Sequence, residues 1–161
     1  MGIEIFGKID PCSPEEYYEG TINLQGNNVE IDLNFESEEI DESVLKAVAG
    51  FIKNAEVMTK KAFSAIETDF DLGEESETAR FYLQHHLDEF SKDELSDIFG
   101  EEEINKESFI NNLTLKRIGV YPEDDESFVI FDIQFPDKFT NYLMAVTFDD
   151  ANELSYISME S

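Results

Sequence analysis

The adjacent residues His85 and His86 hold the two imidazoles of the chain and are the first candidates for metal chemistry. They lie in a segment with helical periodicity, where neighbouring side chains point about 100° apart, so both rings cannot readily bind one ion. His85 and Glu89 have the spacing to share an ion, but nothing supplies a third ligand. We therefore expect His86 at the edge of a core, His85 in solvent, and no metal site.

The segment Asp69–Gly73 has two spaced aspartates, as at the start of a calcium-binding loop. An EF-hand loop needs about three oxygen-bearing positions before its glycine and a glutamate about six residues later. Thr78 or Ala79 stands where that glutamate is required. The segment is therefore predicted to be a loop that ends a helix.

The chain has one thiol that could act as a nucleophile, Cys12, which lies in the Pro11–Pro14 segment with no base nearby in the sequence. The chain has no GxGxxG, GxxxxGK[ST], GxSxG or HExxH motif. The sequence therefore predicts no catalytic residue, no metal ligand and no cofactor. An enzyme or a metal protein is kept only as a third alternative.

The strongest chemical feature is charge: 38 acidic residues stand against 11 basic ones, for a formal net charge of −27. Nucleic-acid binding needs lysine and arginine to displace counterions, and anionic membranes repel such a chain, so we expect no nucleic acid and no membrane as partner. A basic protein partner fits, because complementary potentials speed encounter. The alternative is that the acidity serves only solubility.

Acidic side chains concentrate at two turns near the C-terminus. These are Glu123, Asp124, Asp125 and Glu126 in the first turn, and Asp149 and Asp150 in the second. In an up-and-down meander, the turns after the first and third strands lie at the same end of the sheet. We therefore expect one acidic partner-binding rim, with Tyr121 and Phe128 as aromatic contacts.

The elements that would position this rim are four strands, predicted at 114–121, 127–135, 141–148 and 154–159. Apolar residues alternate in the middle two strands, as in Val129, Phe131, Ile133 and Phe135. Short polar turns and a spacing of about 12 residues between strand starts predict an antiparallel meander.

Upstream, residues 17–25 and 28–36 predict a β-hairpin whose second strand places Asp32 on its wet face, and residues 3–9 predict a further short strand. Helical periodicity predicts one long helix over 42–68 and shorter helices at 76–90, 92–99 and within 105–113. The predicted fold is α+β: an N-terminal β-hairpin, central helices (one long, two or three shorter) and a C-terminal four-stranded antiparallel meander, with the helices packed on one sheet face.

The helical region divides by charge. Residues 44–64 hold four lysines and one glutamate, whereas residues 67–103 hold fourteen acids and two basic residues. Lys46, Lys53 and Lys60 form a stripe that either faces the acidic helices within the fold or leaves them free to face a partner.

The length suits one domain, residues 1–161. A single cysteine excludes an internal disulfide and favours a reducing compartment. There is no signal-peptide pattern and no apolar run of about 20 residues, so a soluble cytoplasmic protein is expected. The oligomeric state is left open.

Three segments resemble a bacterial family catalogued as domain of unknown function 2004. They are LTLKRIGVYPEDDESFVIFDIQF (Leu113–Phe135), TNYLMAVTFDDANELSYISMES (Thr140–Ser161) and FYLQHHLDEF with the following LSDIFG. The resemblance extends from about residue 20 onward and rests on core strand patterns. It implies a small acidic cytoplasmic protein, similar in build to the immunity proteins that accompany bacterial toxins, and it supplies no catalytic residues.

The expected function is therefore a non-enzymatic binding or immunity-type protein that neutralises a basic partner such as a toxin. The alternative is a housekeeping or regulatory domain whose acidity only serves solubility.

Overall fold

The chain forms eight β-strands and five α-helices in the computed structural model, which describes residues 2–161. The strands are β1 Gly2–Ile3, β2 Gly7–Lys8, β3 Tyr17–Leu24, β4 Asn27–Asn34, β5 Thr114–Val120, β6 Val129–Gln134, β7 Leu143–Phe148 and β8 Leu154–Glu160. The helices are α1 Glu42–Lys53, α2 Ala55–Asp71, α3 Ala79–Glu89, α4 Lys92–Phe99 and α5 Lys106–Asn111. The fold is α+β, as predicted.

Six strands form one sheet in the order β3-β4-β5-β6-β7-β8. β3 and β4 pair as a hairpin, and β5 to β8 form an antiparallel meander. β4 and β5 run parallel, with Ile31 opposite Ile118 and Leu33 opposite Val120, so the five helices form the crossover between them. β1 and β2 form a separate small hairpin where one strand was predicted.

One face of the sheet packs against the helices and forms the core. Apolar side chains alternate onto this face along β4, β6 and β7, and the rings of Phe51 on α1 and Phe131 on β6 lie 6.1 Å apart. Burying one such large side chain contributes about 1.5–3 kcal/mol, so this layer is the main source of stability. The opposite face carries Glu19, Glu30 and Tyr156 in solvent, whereas Asp132, Ala145 and Thr147 at its centre are buried. We call it the open face.

The prediction of one long helix over 42–68 is wrong, because α1 and α2 are separated at Asn54. Asn54 has φ −100° and ψ 10°, and its N–H reaches the Phe51 carbonyl at 2.9 Å. Phe51, Ala55 and Met58 are all buried and keep a helical spacing across the break. The periodicity therefore could not reveal it, although asparagine is a weak helix former that favours local departures.

Specific caps delimit the helices that follow. Ser91 Oγ accepts the N–H of Glu94 at 3.2 Å and Glu94 Oε1 accepts the N–H of Ser91 at 3.1 Å, which is the capping box expected at the start of α4. Asp69 Oδ2 accepts from Ser76 Oγ and from the N–H of Ala79, each at 2.7 Å. The Asp69–Gly73 segment thus ends α2, and Asp69 holds the connection between α2 and α3.

Lys46, Lys53 and Lys60 form no ion pair with any residue in the described range, so no salt bridge supports the interpretation that they face the acidic helices. Within residues 2–161, no helix combines the length and the apolar character needed to cross a membrane.

Candidate partner-binding site

The two acidic turns meet at one end of the sheet. The N–H of Asp150 donates to the Asp125 carbonyl at 2.9 Å, and the N–H of Phe128 donates to the Phe148 carbonyl at 3.0 Å. These bonds join the β5–β6 turn to the β7–β8 turn, as the meander requires. We call the six acids of these turns the acidic rim: Glu123, Asp124, Asp125, Glu126, Asp149 and Asp150.

A groove of about 760 Å³ lies between the β5–β6 turn and the ends of β3 and β4. Tyr17, Asn34 and Tyr121 line it from the sheet. Its acidic lining residues are Glu16, Glu36, Glu123, Asp124, Asp125 and Glu126. The volume is in the range of natural ligand pockets, and the lining suits a cationic segment. We call it the acidic groove.

Three of the rim carboxylates shape the turns. Asp124 Oδ1 accepts the N–H groups of Glu126 and Ser127 at 3.1 and 3.0 Å. Asp149 Oδ1 accepts two N–H groups of its own turn, each at 2.9 Å. Glu123 Oε2 accepts the N–H of Glu36 at 2.6 Å, which ties the β5–β6 turn to the segment after β4. These carboxylates therefore stabilise the turns whether or not a partner is bound.

The remaining rim carboxylates are Asp125, Glu126 and Asp150. None of them forms a side-chain hydrogen bond or ion pair with the described residues. At Glu123, slight burial acts to raise the pKa, but hydrogen bonds from the backbone after β4 outweigh it and lower the pKa. The rim thus combines fixed, charged carboxylates with unengaged ones.

The predicted aromatic contacts behave differently from each other. Tyr121 is half-buried and lines the acidic groove. The prediction for Phe128 is wrong, because this side chain is 6% exposed and belongs to the core, where its backbone extends the β6–β7 ladder. Tyr17, 51% exposed on the edge strand β3, also lines the groove, together with the buried Phe35. Residue type alone could not distinguish these positions.

The open face carries an ion network that was not predicted. Arg117 on β5 donates to both carboxylate oxygens of Asp32 on β4, at 2.5 Å from Nε and 2.8 Å from Nη2. Its Nη1 donates to Asp132 Oδ2 on β6 at 3.2 Å, and its Nη2 also donates to the Tyr121 hydroxyl at 2.9 Å. Asn34 donates to Asp32 Oδ1 at 2.7 Å. Through Tyr121 and Asn34, this network reaches the acidic groove.

Burial sets the electrostatics of the network. Asp32 is 4% and Asp132 is 9% exposed, whereas the Arg117 side chain is 30% exposed. Burial acts to lower the pKa of Arg117, but its hydrogen bonds to Asp32 and Tyr121 outweigh this and raise it. Burial raises the pKa of Asp132 against the opposing effect of Arg117. With both carboxylates ionised, the network holds more negative than positive charge.

Gly119 makes room for the network. A Cβ atom there would lie 2.7 Å from Arg117 Nη2 and 3.0 Å from Cε2 of Tyr121, so both side chains lie against the backbone of β5. The signal in the sequence is faint, because an irregularity between Leu115 and Arg117 shifts the register and the Asp32 partner lies 85 residues away.

His86 is buried and fully engaged. Its Nδ1 lies 2.7 Å from the Tyr82 carbonyl and its Nε2 lies 2.8 Å from Thr140 Oγ1. Because a carbonyl only accepts, Nδ1 carries the proton of the neutral ring and Nε2 accepts from the threonine hydroxyl. Burial lowers the pKa of His86. Within residues 2–161, no group of three or more His, Cys, Asp or Glu side chains is placed to hold a metal ion.

No family model matches the chain, and no curated protein sequence or solved structure does so either. The resemblance to the domain of unknown function 2004 family therefore stays a prediction.

Proposed function

We propose that this chain is a non-enzymatic binding protein of the immunity or inhibitor type, acting in the bacterial cytoplasm on a basic protein partner such as a toxin. One observation carries the proposal: Asp125, Glu126 and Asp150 converge at one end of the sheet, unengaged by the described residues, beside a groove lined by six acids. Their combined potential would attract a cationic surface to this end.

The mechanism is electrostatic steering followed by occlusion. Exposed ion pairs contribute only about 0.2–1 kcal/mol each, so the rim acts mainly on the association rate. Tight binding then requires buried aromatic contacts, for which Tyr17 and Tyr121 line the groove. The expected signature is an association rate constant that falls steeply with salt while the dissociation rate constant changes little.

The second candidate is a housekeeping or regulatory domain whose acidity only serves solubility. It is favoured by the hydrogen bonds that Glu123, Asp124 and Asp149 accept from backbone N–H groups, because these bonds stabilise the turns without any partner. In this case a loss of three charges anywhere on the surface should have the same effect on binding.

A matched pair of variants separates the two candidates. The rim variant is Asp125→Asn/Glu126→Gln/Asp150→Asn. The control is Glu67→Gln/Glu89→Gln/Asp97→Asn, which removes three exposed charges from the helices. Each protein is immobilised and exposed to a lysate of the source bacterium, and retained proteins are quantified by mass spectrometry.

We expect the wild type and the control to retain the same basic protein and the rim variant to lose it. Equal retention by all three proteins, or equal loss from both variants, would refute the proposal in favour of non-specific charge. Binding that ignores salt would refute the steering mechanism.

A further inference from the structure

Two rows of side chains cross all six strands of the open face. The first row is Glu19, Asp32, Gly119, Ile130, Thr147 and Tyr156. The second row is Thr21, Glu30, Arg117, Asp132, Ala145 and Ser158. The Arg117 network therefore occupies the middle of this face, where Asp32 and Asp132 are at most 9% exposed. Glu19, Glu30 and Tyr156 around it are in solvent.

Charge on the open face is mostly negative. Within the two rows, the carboxylates are Glu19, Glu30, Asp32 and Asp132, and the cation is Arg117. Tyr17 and Tyr156 are each 51% exposed at its two edge strands, which flank the charged centre with aromatic rings. Tyrosine and arginine are the residues enriched in protein interfaces.

The face also holds polar atoms without partners. The hydroxyl of Thr147 and the side-chain oxygen of Gln134 make no hydrogen bond within the described chain, although these residues are 0% and 1% exposed. Both follow the open-face alternation of their strands. Buried polar groups in folded proteins are normally paired, so these two atoms are exceptions within the sheet, and both are closed off from the surface.

We propose that the open face is the floor of the partner interface and receives an arginine-rich segment of the partner. The Arg117 network provides the internal precedent, because its guanidinium pairs with Asp32 while donating to the Tyr121 hydroxyl. At the edge strand, Tyr17 and Glu19 likewise place a phenol hydroxyl beside a carboxylate, with the Tyr17 hydroxyl donating to Glu19 Oε2 at 3.4 Å. The planar guanidinium of arginine can bind a carboxylate through two hydrogen bonds and stack flat on a ring, a geometry that the point charge of lysine lacks.

The inference rests on the proposed function in that both require a cationic partner, but it names a different surface. Six strands about 4.8 Å apart and about 20 Å long give a face of roughly 500 Å². Added to the rim and groove, it approaches the roughly 800 Å² that each partner buries in a standard interface. A second copy of the chain is a poor occupant, because two negative faces would repel each other.

The test uses a peptide of ten arginines and a peptide of ten lysines as probes. The open-face variant is Glu19→Gln/Glu30→Gln/Tyr156→Ser. The matched control is Glu67→Gln/Glu89→Gln/Phe81→Ser, which also removes two exposed acids and one exposed aromatic ring, here from the helical side. Dissociation constants come from calorimetry, and ¹H–¹⁵N spectra of the wild type map the perturbed amides.

We expect the wild type to prefer arginine over lysine severalfold, and the open-face variant to lose about tenfold in arginine-peptide affinity while the control loses less than twofold. Equal losses from the two variants would overturn the inference. If the rim variant weakens binding and the open-face variant does not, the inference fails while the proposed function stands. Concentration-dependent dimerisation abolished by the open-face variant would assign the face to a second copy instead.

Discussion

Replacing Arg117 by methionine would remove the cation that Asp32 and Asp132 share. Removing one partner of a buried ion pair costs about 3–5 kcal/mol. The Arg117 side chain is 30% exposed, so water screens part of the interaction and we expect a loss of about 2–3 kcal/mol. For a chain of 161 residues at about 3 °C per kcal/mol, Tm should fall by about 6–9 °C.

The loss should depend on pH with a defined sign. Burial already raises the pKa of Asp132, and the variant lacks the opposing effect of Arg117, so this pKa rises further. A folded-state pKa above the unfolded value of about 3.9 means that the folded state binds more protons between the two values. The destabilisation by Arg117→Met should therefore be largest near pH 7.5 and shrink as the pH falls towards the raised pKa.

Urea denaturation followed by circular dichroism at pH 7.5 and 5.0 measures both effects. The double variant Arg117→Met/Asp132→Asn is the control, since it removes one of the two stranded charges and should recover part of the lost stability at pH 7.5. A loss below about 1 kcal/mol, or an equal loss at both pH values, would refute the view that Arg117 compensates two buried carboxylates.

Three further outcomes can be checked. Gly119→Ala should destabilise the protein by about 1–3 kcal/mol through overpacking against Arg117 and Tyr121, and by clearly less in the Arg117→Met background; additive losses in urea denaturation would contradict the clash. Because burial lowers the pKa of His86 below its unfolded value, the His86 contribution should make stability fall as the pH drops from 7.5 to 5.5, and this contribution should be absent in His86→Gln. The ¹⁵N shifts should show the Nδ1–H tautomer, and the opposite tautomer would contradict the assigned hydrogen bonds. Glu123→Ala should accelerate amide hydrogen exchange at Glu36 severalfold, whereas unchanged exchange would mean that Glu123 does not tether this segment.

Patterns within short windows of the sequence predict the features of this structure that depend on residues close together in the chain. The alternation around Asp32 correctly predicts a strand with two unlike faces, but Asp32 itself is 4% exposed and pairs with Arg117, so the prediction that it lies on a wet face is wrong. The acidic turns predict a rim because meander geometry dictates which turns share an end. The break at Asn54 was not predictable from periodicity, since the buried positions keep their spacing across it. Phe128 shows the converse limit, because an aromatic residue beside a charged turn can equally close the core.

The Arg117 network depends on a non-local relation that no window of sequence contains, the parallel pairing of β4 with β5 across all five helices.

The parallel pairing of β4 with β5 explains what the Arg117 network does in the fold. A parallel pair has no connecting turn to set its register, and a one-residue slip would turn Asp32 towards the apolar core. The two hydrogen bonds from Arg117 to Asp32 are satisfied in one register only, and Asp132 repeats the constraint on the next strand. In some proteins, buried polar or charged groups specify one register more than they add to stability, and we infer the same role for this network. Arg117 therefore fixes the join between the N-terminal hairpin and the meander, and its partly exposed guanidinium lies where a partner on the open face would make contact.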